Sequence, residues 1–333
     1  MTRLWLKWVA LWDGVEHPRS IALVRITLGL VILWDFLEIA RLDLVVALFG
    51  DQSIGGLSDV GTRTSPPWVV ASFGTSEAAA RGLHAAITVA ASAFVLGLFT
   101  RASALRLLVA WAQFAAVLPA ADRGIDTLCR DVLVVFVFAR SGGWLSIDAI
   151  RRTGSEWGDN EPVPAWPRRL LILQLVAMYF LAGVQKTGIH WYPMGHFAAL
   201  YFILQDPAIA KHDFRWLANA PWFQLTQIAS AVTVLFQDSY PIVLLIRWCK
   251  ATADRGGRLR GLLVRYGWLE WVWIGIGAAF HLGLAMTCEL GIFPWAMLAL
   301  YPAWVHPDDW PRIVARLRSA IAPSATARAP LSR

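Results

Sequence analysis

The chain has 333 residues, of which 57% are hydrophobic and 16% are charged, and its mean hydropathy is +0.51. A soluble domain carries about 25% charged residues, so this composition excludes an ordinary soluble protein. The formal charge of +7 does not indicate nucleic-acid binding, because the basic residues lie in short segments between apolar runs.

Apolar residues form runs of roughly twenty, which is the length that a helix needs to cross a bilayer. We therefore predict an all-α fold, a polytopic transmembrane helical bundle of about eight spans in the plasma or inner membrane. Pro241 predicts a kink within the sixth span. The spans are expected at residues 20–40, 78–99, 102–119, 124–140, 171–191, 222–247, 266–287 and 290–305.

The sequence divides into a membrane domain and two flanking segments. Residues 1–18 predict an amphipathic helix that lies in the membrane interface, anchored by three tryptophans. Residues 19–306 hold the transmembrane domain. Residues 307–333 begin as a basic amphipathic helix and end in an Ala-, Pro- and Ser-containing tail that we expect to be disordered. The three cysteines show neither CxxC pairing nor metal-ligand spacing, so we interpret them as packing residues and predict no metal site.

Lysine and arginine predict the orientation of the bundle. With eight spans, 21 of the 30 basic residues fall on the side of the two termini and six on the opposite side. Cytoplasmic loops carry the excess of basic residues, so both termini are expected in the cytoplasm.

Several ionisable residues fall inside the predicted spans, where each costs about 2.5–3.5 kcal/mol even on the lenient insertion scale. Counted along their helices, most reach a similar depth on the outer side of the membrane. These residues are Asp35, Glu38, Asp126, Arg130, Lys186 and His281. Their convergence predicts an outward-open pocket lined by Lys186, His281, Asp35 and Asp126.

Each of these residues also has a structural interpretation. Asp126 and Arg130 are four residues apart and can neutralise each other as an ion pair. His281 can be a hydrogen-bonded core histidine. Lys186 has no acidic residue within ten positions, so it either extends its ammonium to the headgroups or faces the bundle with a functional role. In the second case, a partly desolvated lysine could act as a base or as a carbonyl nucleophile.

Several stretches resemble the HTTM family, the horizontally transferred transmembrane domain, whose best-known member is vitamin K-dependent gamma-carboxylase. The first span reads ALVRITLGLVILWD, like the family pattern A-x-x-R-x-x-x-G-x-x-x-x-x-D. The fifth reads YFLAGVQKTGIHW, like the carboxylase pattern Y-F-x-A-G-V-x-K-x-x-x-x-W, which includes Tyr179, Lys186 and Trp191. FHLGLAMTCELGIFPWAMLAL resembles the pattern of the last two spans. The resemblance covers about residues 18–315.

The resemblance implies a chemistry for Lys186. In the carboxylase, the lysine at this position deprotonates vitamin K hydroquinone, and oxygen then converts the quinol to a strong base that is left as the epoxide. A reduced quinone is therefore the cofactor that the resemblance implies. Together, the residues and the resemblance predict Lys186, His281 and Asp126 as catalytic residues. They predict substrate binding by Asp35, Arg130, Tyr179 and Trp191.

Two departures from the carboxylase keep a second function open. GIDTLC, with Asp126, stands where the carboxylase has the catalytic histidine of N-N-H-S-Y. We also expect no large lumenal domain of the kind that handles the carboxylase's protein substrate. The alternative is a non-catalytic membrane factor that assists maturation or export of a small secreted peptide or protein. Some bacterial HTTM proteins, of the sporulation-delaying-protein B type, work in this way.

Overall fold

The computed structural model of the chain describes residues 5–6, 9, 12–158 and 161–321. The structure is about 74% helical. A two-stranded antiparallel ladder pairs β1, Val15–Glu16, with β2, Val163–Pro164. Part of the predicted interfacial helix at residues 1–18, including Trp8, lies outside the described residues, and so does the predicted tail from residue 322 onward.

Among the described residues, the α-helices range from five to 23 residues in length. In chain order they are α1 Arg19–Arg41, α2 Val45–Phe49, α3 Trp68–Phe73, α4 Glu77–Leu96, α5 Thr100–Val117, α6 Gly124–Phe138, α7 Ile147–Thr153, α8 Trp166–Val184, α9 Ala199–Gln205, α10 Trp222–Ser239, α11 Ile242–Ala251, α12 Arg258–Arg265, α13 Leu269–Thr287, α14 Phe293–Ala299 and α15 Trp310–Ile321.

Four helices of the described residues are long and apolar enough to cross a membrane: α1, α4, α8 and α13. A fifth candidate is the pair α10 and α11, which bends by 42° at its break. This break lies at Tyr240 and Pro241, so the predicted kink is confirmed. The protein therefore has four or five helices that can span a bilayer by length and composition.

The remaining predicted spans correspond to shorter elements. α5 has 18 residues and α6 has 15, whereas the predicted eighth span divides into the seven-residue α14 and a 3₁₀ turn at Tyr301–Trp304. Pro302 explains the division, because proline has no N–H to continue the helical hydrogen bonds.

One end of the bundle gathers segments that are far apart in sequence. The buried Arg25 of α1 donates hydrogen bonds to the carbonyls of Phe94 and Val95, both at 3.0 Å, and so caps the C-terminal end of α4. Arg168 at the start of α8 forms an ion pair with Glu16 at 2.7 Å. The beginnings of α1 and α8 and the end of α4 therefore lie together, and we call this the basic end.

The opposite end is held together by other long-range contacts. The imidazole of His84 hydrogen-bonds to the carbonyl of Phe36 at 2.8 Å, and this histidine is buried among aromatic rings. Lys211 donates a hydrogen bond to the carbonyl of Ala285 near the end of α13, at 2.8 Å. Between the two ends, a continuous apolar core joins α1, α4, α5, α6, α8 and α14.

Candidate functional site

The inner face of α8 leads from Tyr179 to Lys186. Tyr179 and Gly183 are buried and four residues apart, so they lie on the same face of the helix. The helix ends at Val184, seven residues before the predicted end of this span. Gly188 and Pro193 interrupt the apolar pattern there, and the chain continues in 3₁₀ turns. Lys186 therefore lies just beyond the C-terminus of α8.

The Lys186 side chain folds back onto the helix that precedes it. Its ammonium donates a hydrogen bond to the carbonyl of Ala182 at 2.9 Å and lies 4.9 Å from the centre of the Trp191 ring. Both side chains are partly buried. The structure thus brings together two residues that the sequence placed in the site, through a hydrogen bond to an unpaired helix carbonyl and a cation–π contact.

Asp238 is the acidic residue whose charge acts on Lys186. The absence of a side chain at Gly183 brings Asp238 close to α8, because a Cβ at this glycine would lie 2.2 Å from the Asp238 carboxylate. Asp238 lies in the last turn of α10, beside Gly183 of α8.

A hydrogen-bonded chain of three side chains lies one helical turn below Gly183. The Tyr179 hydroxyl is 2.7 Å from Nε2 of His281 and 2.7 Å from the hydroxyl of Tyr301. Tyr179 and His281 are almost completely buried, and Tyr240 packs against the Tyr179 ring at a centroid distance of 4.3 Å. Such a chain can pass a proton between its members, because each hydroxyl and the imidazole can both donate and accept.

Gly277 of α13 makes room for this chain. A Cβ at this position would lie 2.3 Å from the Tyr301 hydroxyl and 3.1 Å from the Tyr179 hydroxyl. The two phenols therefore meet over a helix surface that only glycine leaves open.

One buried atom of this chain and one buried atom beside Gly183 have hydrogen-bonding capacity to spare. Among the described residues, no hydrogen-bond partner lies near Nδ1 of His281 or near Oε1 of Gln237. His281 is 1% exposed and Gln237 is 3% exposed. Buried polar atoms are seldom left without a partner, so these two atoms fit a site that accepts a polar ligand.

A separate ionic cluster, at the end of the bundle away from the basic end, contains three other predicted site residues: Asp35, Asp126 and Arg130. Arg123 bridges Asp35 of α1, at 2.6 Å, and Asp126 of α6, at 2.8 Å. Asp126 also accepts a hydrogen bond from the Arg123 backbone N–H at 2.9 Å, so it caps the N-terminus of α6. The side chain of Asp126 is only 2% exposed. Asp35 and Asp126 thus tie α1 to the first turn of α6 through a shared arginine.

Arg130 pairs with Asp122 rather than with Asp126. The guanidinium and the Asp122 carboxylate are 2.6 Å apart, and the guanidinium also lies 6.0 Å from the Trp111 ring centre. The predicted Asp126–Arg130 pair is therefore wrong. The physical reason is that the capping hydrogen bonds turn Asp126 back toward Arg123, and this leaves Arg130 to the carboxylate that precedes the helix.

The predicted outer pocket is therefore split into two groups. Among the described residues, no hydrogen bond or ion pair joins Lys186 to His281, Asp35 or Asp126. A single segment touches both groups, since the Phe293 ring packs against His281 at 5.5 Å and a Cβ at Gly291 would lie 3.0 Å from the Arg123 guanidinium. The Tyr179–His281 chain and the ionic cluster are neighbours across this segment.

Sequence reasoning missed several residues of these groups, among them Arg123, Asp122, Gln237, Tyr301 and Gly277. The position of Arg123 just before a helix with aspartate as its third residue was a usable capping signal. Nothing in the local sequence indicates that Tyr301 reaches Tyr179 across the bundle.

The four or five helices that can cross a bilayer by length and composition indicate a helical membrane protein. The HTTM domain family matches residues 15–310, which is nearly the whole chain, and the protein belongs to this family. Its resemblance to the carboxylase motifs is thereby confirmed at the level of the family. No solved structure was found to match the chain.

Proposed function

We propose that this protein is a membrane enzyme of the quinone-dependent, carboxylase-like kind, with Lys186 as the base. The observation that carries the proposal is that Lys186, just beyond the end of α8, folds back onto the helix whose buried Tyr179 forms the hydrogen-bonded chain with His281 and Tyr301. An apolar core does not need a hydrogen-bonded chain for its packing. Burying polar atoms there costs free energy unless each has a partner.

The residues at this site fit the hydroxyl groups of a reduced quinone. Nδ1 of His281 and Oε1 of Gln237 are buried and can each accept a hydrogen bond. A bound reduced quinone would supply an acidic hydroxyl and the reactivity toward oxygen that amino-acid side chains lack.

Lys186 would act as the proton acceptor. In its neutral form the amine can donate to the Ala182 carbonyl and still present its lone pair. With a reduced quinone bound, a new N–H bond would form on Lys186 as the hydroxyl O–H bond broke. The resulting ammonium would be stabilised by the Trp191 ring and by the Asp238 carboxylate. Tyr179 and His281 would hold the substrate and relay protons rather than start the reaction.

The proposed arrangement in the membrane has eight crossings with both termini in the cytoplasm. Support comes from the basic end, where the starts of α1 and α8 meet the end of α4, as alternating passes require. The shorter α5, α6 and α14 with its 3₁₀ turn would supply the three crossings beyond the five long candidates.

The chemistry can be tested with chemically reduced vitamin K as the probe. Full-length protein in lipid nanodiscs is mixed with the quinol and oxygen, and epoxide is quantified by chromatography. We expect epoxide from the wild type and a loss of at least about 100-fold in both Lys186→Ala and Lys186→Arg, because guanidinium cannot release its proton. Lys211→Arg is the matched control, since Lys211 also donates to a helix carbonyl.

Three results would contradict this assignment. The first is a wild type that forms no epoxide. The second is an active Lys186→Arg variant, which would show that only the positive charge matters. The third is Lys211→Arg losing as much activity as Lys186→Arg. The non-catalytic maturation factor would be favoured by two results together. The wild type would form no epoxide, and deletion of the gene would cause the cells to lose a secreted peptide.

A further inference from the structure

A cavity of about 610 Å³ opens at the basic end, far from Lys186 in the fold. Its walls come from the start of α5, the residues after α6 and the helix α7. Four arginines line it, together with two acidic residues, Asp148 and Glu161. The arginines are Arg101, Arg140, Arg151 and Arg152.

The two acidic residues are already engaged. Asp148 accepts hydrogen bonds from the backbone N–H of Phe99 at 2.9 Å and of Thr100 at 2.8 Å, so it caps the start of α5. Although burial opposes ionisation, the hydrogen bonds from Thr100 and Phe99 hold the pKa of Asp148 below its usual range. Glu161 lies 3.6 Å from Arg140. The cavity therefore keeps an excess of positive charge.

The guanidinium groups of Arg101 and Arg151 face backbone carbonyls and a ring rather than close ion-pair partners. Arg101 donates to the carbonyl of Phe138 at 3.1 Å, and Arg151 lies 4.6 Å from the centre of the Phe99 ring. Arg151 also interacts with the Asp148 charge. Among the ion pairs of the described residues, none within 4 Å includes Arg101 or Arg151. Arginine can add bidentate hydrogen bonds to a phosphate oxygen pair in such a setting.

The position of the cavity favours a phosphate group carried by a membrane lipid over a free phosphate ion. α4 is long and apolar enough to cross a membrane, which would place its C-terminal end and the start of α5 at a membrane boundary. Phe99 and Phe138 at the rim are 54% and 64% exposed, and Leu105, Val109 and Val134 continue an exposed apolar surface down α5 and α6. A ligand with a charged head and apolar chains matches this surface better than a free ion does.

We propose that this cavity binds the headgroup phosphodiester of an anionic phospholipid, with its acyl chains against the outer surfaces of α5 and α6. Basic pockets between transmembrane helices are suited to such headgroups. The proposal is independent of any role for Lys186.

The test is native mass spectrometry of the full-length chain in detergent, titrated with phosphatidylglycerol or with phosphatidylcholine of the same acyl chains. We expect phosphatidylglycerol to bind preferentially. The variant Arg101→Gln with Arg151→Gln should weaken that binding by about tenfold or more. The matched control is Arg316→Gln with Arg318→Gln, which removes the same charge from exposed positions on α15.

The single variant Arg140→Gln provides a second reading if the double variant does not fold. Arg140 is half exposed, and its loss should weaken phosphatidylglycerol binding severalfold. Equal binding of the two lipids by the wild type would overturn the proposal. So would an equal loss in the α15 control. Displacement of the bound lipid by inorganic phosphate, without a preference for phosphatidylglycerol, would assign the cavity to free phosphate instead.

Discussion

At the scale of single residues, the central polar chain depends on the close approach of side chains from three helices or turns. Tyr179, His281 and Tyr301 come from α8, α13 and the 3₁₀ turn after α14, and two hydrogen bonds of 2.7 Å join them. Packing of the bundle thus determines the positions of these three polar side chains. Substitutions that move one phenol should affect both stability and the proposed activity.

Gly277→Ala tests this coupling. The new methyl group would meet the Tyr301 hydroxyl at 2.3 Å, so the phenol must move and its hydrogen bond to Tyr179 must lengthen or break. We expect a loss of about 1–3 kcal/mol in stability, seen as a lower melting temperature in detergent, and reduced epoxide formation.

Gly275→Ala and Gly283→Ala are the matched controls on the same helix. A Cβ at either position would meet no atom within 4 Å, and alanine favours helix over glycine by about 1 kcal/mol. Both controls should be neutral or slightly stabilising. If Gly277→Ala behaves as they do, the close approach of the two phenols is not required.

At the scale of elements, helix ends determine which charges pair. α6 begins with Asp126 as a cap, and this commits Asp126 to Arg123 while Arg130 reaches Asp122. Arg25 plays a similar part at the end of α4, where it supplies donors for carbonyls that the helix leaves unpaired. Asp126 and Arg25 thus use buried charge to satisfy unpaired groups at helix ends.

Charge exchange at Asp122 and Arg130 tests the corrected pairing. Either Asp122→Arg or Arg130→Asp alone should lower stability by about 1–3 kcal/mol, because it leaves a mostly buried charge without its partner. The double exchange should recover a large part of the lost expression and melting temperature.

The control exchange is Asp126→Arg with Arg130→Asp. It should not recover either property, because Asp126 caps α6 through the Arg123 backbone and side chain. Recovery in this control, without recovery in the Asp122 exchange, would restore the pairing that sequence spacing alone predicted.

At the scale of the whole molecule, the two ends differ in their charge. The basic end combines capping arginines, the ion pair of Arg168 with Glu16, and the arginine-lined cavity. Positive charge on cytoplasmic segments orients membrane proteins during insertion. The proposed orientation follows from this asymmetry.

Cysteine accessibility in intact cells tests the orientation. Arg258→Cys, at an exposed position on α12, should be labelled by a membrane-impermeant maleimide only after permeabilisation. Ala208→Cys, exposed beyond α9 at the opposite end, should be labelled without it. The three native cysteines are buried, so background labelling should be low. Labelling of residue 258 from outside would refute the proposed topology.

The sequence by itself determined the class of protein, the family and the position of most long helices. Hydrophobic runs, turn residues and motif spacing are local properties, so ALVRITLGLVILWD and YFLAGVQKTGIHW identify their helices without any knowledge of neighbours. The kink at Pro241 is local for the same reason. Only the tertiary structure decided that Asp238 approaches Gly183 and that Tyr301 completes the chain with Tyr179 and His281. It also decided the partners of Asp126 and Arg130. Both carboxylates are within reach in sequence, and the choice depends on which unpaired helix groups and neighbouring charges the packed bundle brings to each side chain.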